Sequence, residues 1–375
     1  MFKHAGKKLL SLLLIAGAVS GAWLVGQKLQ SAVRVGSEKI AAAGGAAIRA
    51  IQNAEEAGSA LIEAATAAEV TFLITGMDDA WSGSDVIMLA SLDVSEGAVR
   101  IVQIPRDTYI NRPGSSNHKL NSVFANAAAA ARSGGQSDEQ ATHTASRALV
   151  SFLETNMGVE IDHYVTIGTD GLRAIVDAVG GVTVNVPMDI DYDDNSQDLH
   201  IHLKAGEQVL DGKAAEQFVR FRSGYLTADY GRMDAQKIFL SALFRKIKNE
   251  FSLSTAIELA TSCFRHTESD LGLADLIPLI RGAMQVSEEN VKMITLKGQS
   301  VKDENGVVCE VLSRQYAIDL LTDYLLPRGA ESSQLKFDPN GVFTAPGEID
   351  RIYRGNSPFS KSGVSANDTD SIKIR

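Results

Sequence analysis

The sequence predicts an α/β fold: a single three-layer domain over residues 70–327, with helices on both faces of a central mixed sheet, behind an N-terminal transmembrane helix. Three observations carry this reading. Strand-type and helix-type patterns are interleaved along residues 70–327, as expected of a sheet covered by helices. The run V-T-F-L-I-T-G from Val70 is largely apolar, as in a buried strand, and ends at a glycine. Asp85–Asp93 then alternates cleanly, and Gly97 turns the chain into Val99–Ile104, which reads as an antiparallel hairpin.

Each further element has its own signal. Pro105 stops the second hairpin strand and leaves Arg106-Asp107 at its exit. Residues 119–132 and 138–157 have helical spacing, and Ser133-Gly134-Gly135 separates them. Val165–Ile167 reads as a short strand and Thr169 as an N-cap. The helix Leu172–Val179 that follows is closed by Gly180-Gly181. G-V-T-V-N-V is a strand stopped by Pro187, whereas Asp189–Asp198 has the composition of a loop. A strand at Leu199–Leu203, a helix at Gly212–Gln217, a strand at Phe218–Arg222 and a helix from Asp229 to Lys248 come next. Helices near 253–265 and 273–285, a strand near 291–296 and a helix near 313–326 complete the domain. From Arg328 onward Ser, Gly, Asn, Asp and Pro dominate, which predicts a flexible tail over residues 328–375.

The N-terminus sets an expected compartment. Lys3, Lys7 and Lys8 lie in a basic segment, residues 1–8, ahead of an apolar run from Leu9 to Gly26. That run is about long enough to span a bilayer, and the leading positive charge keeps residues 1–8 cytoplasmic and exports the rest. Ala18-Val19-Ser20 is the competing signal-peptidase site. The run continues through Trp23, Leu24 and Val25, which favours an uncleaved signal anchor over residues 9–26. An Ala-rich stalk over residues 27–68, interrupted by Gly44-Gly45, links the anchor to the domain.

Composition narrows the function. The chain has 375 residues, is 45% hydrophobic and carries a net charge of −10. That charge argues against a general nucleic-acid binder. Cys263 and Cys309 form no C-x-x-C pair, and two unpaired core thiols are expected rather than a bridge. No Walker loop, G-x-G-x-x-G, G-x-S-x-G or H-E-x-x-H is present.

The residues with chemistry to offer concentrate in Phe218–Gln236. On a strand, Arg220 and Arg222 would leave the same face. Asp229, Arg232 and Gln236 stand at i, i+3 and i+7 of the following helix, one stripe at its N-terminal end. Apolar neighbours such as Val219, Phe221, Ile238 and Leu240 surround them. Arginines in such company need anionic partners, and a phosphate or pyrophosphate fits the guanidinium forks. Asp78, Asp79 and Asp85 bracket the first strand turn and could hold Mg²⁺, although spacing alone suits a solvated turn as well. His200-Ile-His202 lacks a third ligand nearby and reads as an exposed strand.

Taken in order, T-G-M-D, S-D-V-I-M-L-A-S-L-D, I-P-R-D-T-Y-I, H-K-L-N-S-V-F, L-D-G-K-A-A-E-Q-F-V-R-F-R and D-Y-G-R-M-D-A-Q resemble the LytR–CpsA–Psr family of bacterial cell-wall phosphotransferases. The resemblance covers roughly residues 70–300 and implies a specific reaction. A glycopolymer with its linking phosphate passes from a polyprenyl-pyrophosphate carrier to a sugar hydroxyl of peptidoglycan, at the cytoplasmic membrane and with Mg²⁺ beside the pyrophosphate. Matched by motif, Asp78 and Asp85 are the metal-side aspartates. Arg220, Arg222, Arg232 and Gln236 face the pyrophosphate, together with Lys119 and Asn121 of the K-x-N motif. Arg106 belongs to the P-R-D motif, and Asp107 and Asp229 both stand as the base that takes the acceptor's proton. Two positions depart from the family pattern: Gly83 stands where an arginine is usual, and Val86 follows the second aspartate. A lipid-pyrophosphate hydrolase and a non-catalytic polyprenyl-phosphate binder are the alternatives within the same resemblance.

Overall fold

In the computed structural model the described residues are 69–77, 83–195, 199–250, 267–271, 279, 282–283, 286–327, 329–359 and 364–365. The expected anchor and stalk, Asp78 and Asp79, Cys263, the helix near 253–265 and most of that near 273–285 lie outside them. Among the described residues no helix is long and apolar enough to cross a membrane.

A seven-stranded mixed sheet organises the chain. β1 (Glu69–Met77), β2 (Ser84–Asp93) and β3 (Ala98–Ile104) form an antiparallel meander, with Gly97 at φ 56° in the turn between β2 and β3. α1 (Asn121–Ser133) and α2 (Asp138–Met157) follow as a helical pair. Ser137 accepts from Gln140 N and Gln140 returns the bond, a capping box that starts α2 where sequence spacing places it. β4 (His163–Ile167) then runs parallel to β1, and α3 (Thr169–Ala178) follows it. Thr169 is the first residue of α3 rather than its cap, because Gly168 occupies the cap position with no side chain to offer.

The next segment leaves the main sheet. β5 (Val182–Val186) pairs with β8 (Gly206–Leu210), and β6 (Ile190–Asp194) pairs with β7 (Leu199–Leu203). The polar stretch expected as a loop is therefore strand over Ile190–Asp194. Its acids alternate outward and meet the histidines of β7, with His202 Nδ1 2.6 Å from Asp191 and His200 Nδ1 2.5 Å from Asp193. Both histidines are exposed, as expected of them.

α4 (Gly212–Arg220) and α5 (Asp229–Glu250) correct the largest local expectation. Phe218, Val219 and Arg220 are the last turn of α4, not a strand. Asp211 caps that helix by accepting from Ala214 N at 2.8 Å, and Ala215 and Phe218 bury one face at helical spacing. The V-R-F-R alternation is too short to compete with a capped helix. Gly231, in the first turn of α5, lies so close to Tyr225 that a Cβ there would stand 2.3 Å from the tyrosine's own Cβ. Gly231→Ala is expected to cost about 3 kcal/mol, at the upper end of overpacking, as a drop in the urea midpoint at unchanged slope.

β9 (Thr267–Ser269), β10 (Val291–Thr295), β11 (Gly298–Lys302), β12 (Val308–Leu312), α6 (Arg314–Leu325), α7 (Glu348–Arg354) and β13 (Val364–Ser365) complete the order. The main sheet reads β13-β10-β3-β2-β1-β4-β9. Alternate residues of β1 feed two separate cores: Phe72 and Ile74 pack beneath α3, α4 and α5, whereas Leu73 packs beneath α1, α2 and α6. Helices therefore cover both faces of the sheet.

Two expectations about the C-terminal third are corrected. The hairpin β11–β12 had no counterpart in the sequence reading. Residues 329–359 are not a loose tail, because Leu335, Phe337, Phe343, Ile349, Ile352 and Tyr353 are all buried in the second core. Cys309 on β12 is a free, buried thiol. Burial first, then the nearby Asp303 and Glu310 charges, pushes its pKa up to about 12, which makes it unreactive.

Candidate active site

The N-terminal end of β2, the C-terminal end of β3 and the N-terminal end of α5 converge on Arg106. Pro105 ends β3, and Thr108 N donates to Pro105 O at 3.0 Å, which folds Arg106 and Asp107 into a turn. The chain then doubles back: Leu120 N reaches Thr108 O at 2.9 Å and Asn121 N reaches Arg106 O at 3.0 Å. That return brings Lys119 Nζ within 2.9 Å of Asp107 Oδ2. Arg106 pairs with Asp85 from β2, and its Nε lies 3.8 Å from Asp107. Burial opposes charge on Arg106, but Asp85, Asp229 and Asp107 outweigh it and hold the guanidinium above its ordinary pKa.

Arg232 is the most enclosed cation of the group. Its side chain is 7% exposed and its Nη2 lies 2.8 Å from Asp229 Oδ1. The same nitrogen reaches the Asp85 carbonyl at 3.5 Å. Burial, reinforced by the Arg106 and Arg222 charges, pushes its pKa down against the pull of Asp229 and Asp85. The buried Nε atoms of Arg106 and Arg232, like Asn121 Oδ1, have no hydrogen-bond partner in the structure. Donors left unpartnered on buried or half-buried cations are groups that an incoming anion could satisfy.

The two remaining arginines differ from each other. Arg220 sits at the C-terminal end of α4 with Nη1 2.6 Å from Glu216 Oε1, where the i,i+4 pairing and the helix dipole both favour a cation. Arg222 follows α4 and is exposed, reaching the cluster through its charge on Arg232. They do not share a strand face. Gln236 is buried with its amide engaged: Gln103 donates to its Oε1 at 2.7 Å, and its own Nε2 donates to Val219 O at 3.2 Å. It braces α5 against β3 and α4, a structural task the sequence reading did not include.

Asp85, Glu216, Arg220, Arg232 and Gln236, with Thr75 and Thr169, form the polar part of a cavity of about 150 Å³. Its remaining wall is largely apolar, with Ile74, Met88 and Ile101 from the sheet and Leu172, Phe239 and Leu240 from the helices. A second, apolar cavity of about 30 Å³ shares Ile74, Ile101 and Leu240 with it and is also lined by Phe244 and Met293. Two neighbouring apolar cavities therefore lie between the sheet and α5, the larger with Arg220 and Arg232 in its wall.

Three residues of this region escaped the sequence reading. Glu216 is buried between Arg220 and Arg173, 2.6 Å from each. Tyr230 follows Asp229 and donates to Glu310 Oε2 at 2.9 Å. Glu310, on the unanticipated β12, has its pKa raised by burial and by the Asp107 and Asp229 charges, against hydrogen bonds from Ser300 and Tyr230. No spacing signal links residue 310 to residues 107 and 230, because only the hairpin brings them together.

For a metal, the described residues supply little by themselves. No group of three or more His, Cys, Asp or Glu among them is placed to hold an ion. Asp85, 37% exposed on its side chain at the cavity edge, fits the one or two carboxylates that Mg²⁺ takes when phosphates and water complete its shell.

Comparison with known proteins follows this geometry. The LytR_cpsA_psr family model matches residues 39–321. TagV of Bacillus subtilis strain 168, named a polyisoprenyl-teichoic acid–peptidoglycan teichoic acid transferase, is 26% identical over 222 residues, covering 58% of this chain and 52% of TagV. LcpB of Corynebacterium glutamicum, named a probable cell wall biosynthesis protein, is 32% identical over 224 residues, covering 58% of this chain and 49% of LcpB. The chain spans about half the length of these two relatives. Among solved structures, that of B. subtilis TagV is similar with a TM-score of 0.55 at 22% identity, covering 69% of this chain and 98% of that chain. TagT bound to LIIa-WTA is similar with a TM-score of 0.52 at 21% identity, covering 70% and 92%. These likenesses establish a shared fold.

Proposed function

The chain belongs to the LytR_cpsA_psr family, and from that membership we propose that it transfers a glycopolymer, with its linking phosphate, from a polyprenyl-pyrophosphate carrier to a sugar hydroxyl of peptidoglycan. One observation carries the reading: a largely apolar cavity has Arg220 and the buried Arg232 in its wall, with Arg106 and Asp85 beside them. A ligand that matches both halves is an isoprenoid chain ending in phosphates. The naming of TagV as a teichoic acid transferase supports the same reaction class for this chain.

The residues divide the work by charge. Phosphoryl transfer depends on in-line positioning and on neutralising charge spread over the phosphoryl oxygens. Arg106, Arg232 and Arg220 hold the pyrophosphate, and Arg222 adds long-range attraction. Asp78 and Asp85 would hold Mg²⁺ on the phosphate oxygens, where the ion supplies further neutralisation. When phosphate engages the guanidinium groups, Asp107 and Asp229 exchange their cationic partners for the acceptor hydroxyl, and one of them takes its proton. An Asp229→Ala variant with unaltered turnover would assign that step to Asp107. The reading places the domain outside the cytoplasm, anchored by residues 9–26.

The test combines the purified full chain, Mg²⁺, a polyprenyl-pyrophosphate-linked saccharide and peptidoglycan. Covalent attachment of the saccharide with release of lipid phosphate is expected. Release without attachment makes the protein a hydrolase, and neither event across a range of donors defeats the reading.

Gly83 favours a second reading, a polyprenyl-phosphate binder without turnover, because it removes one of the family's cations. A Cβ at Gly83 would meet nothing within 4 Å, so a larger side chain has room. Gly83→Arg is expected to tighten binding of inorganic pyrophosphate about tenfold, the worth of one charge-assisted hydrogen bond, and to raise turnover if the missing charge is limiting. Calorimetry showing unchanged affinity would mean that position 83 does not face the anion.

A further inference from the structure

We propose that Glu310 is a positioning residue that ties the Arg106–Asp107 turn to the first turn of α5, and so sets the spacing of Asp107 and Asp229 about Arg106. The proposal rests on the transferase reading, in which those two carboxylates meet the acceptor hydroxyl.

Glu310 is engaged on two sides. Its backbone serves the turn: Glu310 N donates to Asp107 O at 2.9 Å, and Tyr109 N donates to Glu310 O at 2.8 Å. Its side chain serves the helix, accepting from the Tyr230 hydroxyl at 2.9 Å. The Ser300 hydroxyl on β11 holds the other carboxylate oxygen. Tyr230 is fixed in turn by Gly298 N, which donates to its hydroxyl at 2.8 Å, and by Lys297, whose Nζ lies 5.9 Å from the ring centre. The β11–β12 hairpin thus clamps the residue next to Asp229.

The alternation of β12 explains why the side chain is available. Cys309 and Val311 point into the second core, so Glu310 must point the other way, toward α5. A carboxylate there is electrostatically unwelcome, since Asp107 and Asp229 both act on it. An apolar residue would avoid that repulsion but would leave the half-buried Tyr230 hydroxyl only the longer contact to Gly298 O, at 3.3 Å, as acceptor. The nearby cations Arg106 and Arg232 are each already matched by an aspartate.

Substitution can cut the helix half of the tie alone, because the contacts with Asp107 and Tyr109 are made by backbone. Glu310→Ala and Tyr230→Phe in the full chain are each expected to lower kcat for transfer by about 10- to 100-fold with KM little changed, the scale of a misplacement near 1 Å. The double variant should fall no further than the worse single one. Glu310→Gln keeps an acceptor for Tyr230 and should stay within about threefold of wild type. Unaltered kcat in Glu310→Ala overturns the proposal. So does a Gln variant as impaired as the Ala variant while Tyr230→Phe remains active, because the charge and not the tie would then matter. Amide hydrogen exchange of the first turn of α5 provides an arm independent of turnover. It should quicken in Glu310→Ala and Tyr230→Phe but not in Glu310→Gln. Equal exchange in all four proteins overturns the tie even if transfer is seen, whereas quickened exchange with no wild-type transfer sinks only the transferase reading.

Discussion

Arg232→Ala is expected to lower glycopolymer transfer by about two to three orders of magnitude, the cost of removing one preorganised donor from a charged transition state. Arg232 has the most to lose because of its surroundings. It is 7% exposed, and burial together with Arg106 and Arg222 makes its charge harder to hold than that of an ordinary arginine. A cation kept under those conditions interacts strongly with any anion that arrives, since little water competes. Arg232→Lys should recover only a small part of the loss, because a single ammonium nitrogen cannot hold Asp229 and the Asp85 carbonyl, as Nη2 does, and also offer the separate unpartnered Nε donor to an anion. Calorimetry with inorganic pyrophosphate should show weakened binding in both variants. Transfer within threefold of wild type for Arg232→Ala would remove this residue from the chemistry.

Much of this fold is legible in the chain, and the failures share a cause. α2 is read correctly from end to end because its helical spacing is a local signal, and the structure bounds it with the Ser137–Gln140 capping box and with Gly158 in the left-handed region. The β2–β3 hairpin is equally local. Phe218–Arg222 was misread because five alternating residues resemble a strand, while the features that decide for helix, the Asp211 cap and the Ala215–Phe218 face, lie just upstream. The candidate site follows the same division. Asp85, Arg106, Asp107, Lys119, Asp229 and Arg232 are recoverable from motif order, and the structure brings them together. Gln236 was visible, but its bracing role was not, because its amide is engaged by Gln103 and Val219, 133 and 17 residues away. Glu310 was invisible, because its importance depends on a pairing across 80 residues with Tyr230.

A chain ending at Pro327 retains the whole family match yet is expected not to fold cooperatively. The residues it loses include Leu335, Phe337, Phe343, Ile349, Ile352 and Tyr353, each no more than 6% exposed. At roughly 1.5–3 kcal/mol per buried side chain, their loss is on the order of 10 kcal/mol, comparable with the entire stability of a typical domain. Partial collapse of the exposed core would recover some of this, but specific contacts would not return. Phe343 packs edge-on to Phe152 of α2 at 6.3 Å and stacks on Phe337 at 5.3 Å. The segment also braces the chain that follows the Arg106–Asp107 turn: Asn111 N donates to Val342 O at 2.6 Å, five residues beyond Arg106. Gly158 shows how close the approach is, since a Cβ there would stand 2.8 Å from the Lys336 backbone. Phe343→Ala is the graded form of the experiment, with an expected loss of about 3–5 kcal/mol seen as a shifted urea midpoint. Near-ultraviolet circular dichroism should vanish in the chain ending at Pro327 while far-ultraviolet signal persists, the signature of secondary structure without fixed packing. A sharp, two-state melt for that shortened chain would show that residues 329–359 merely cover a domain that is complete without them.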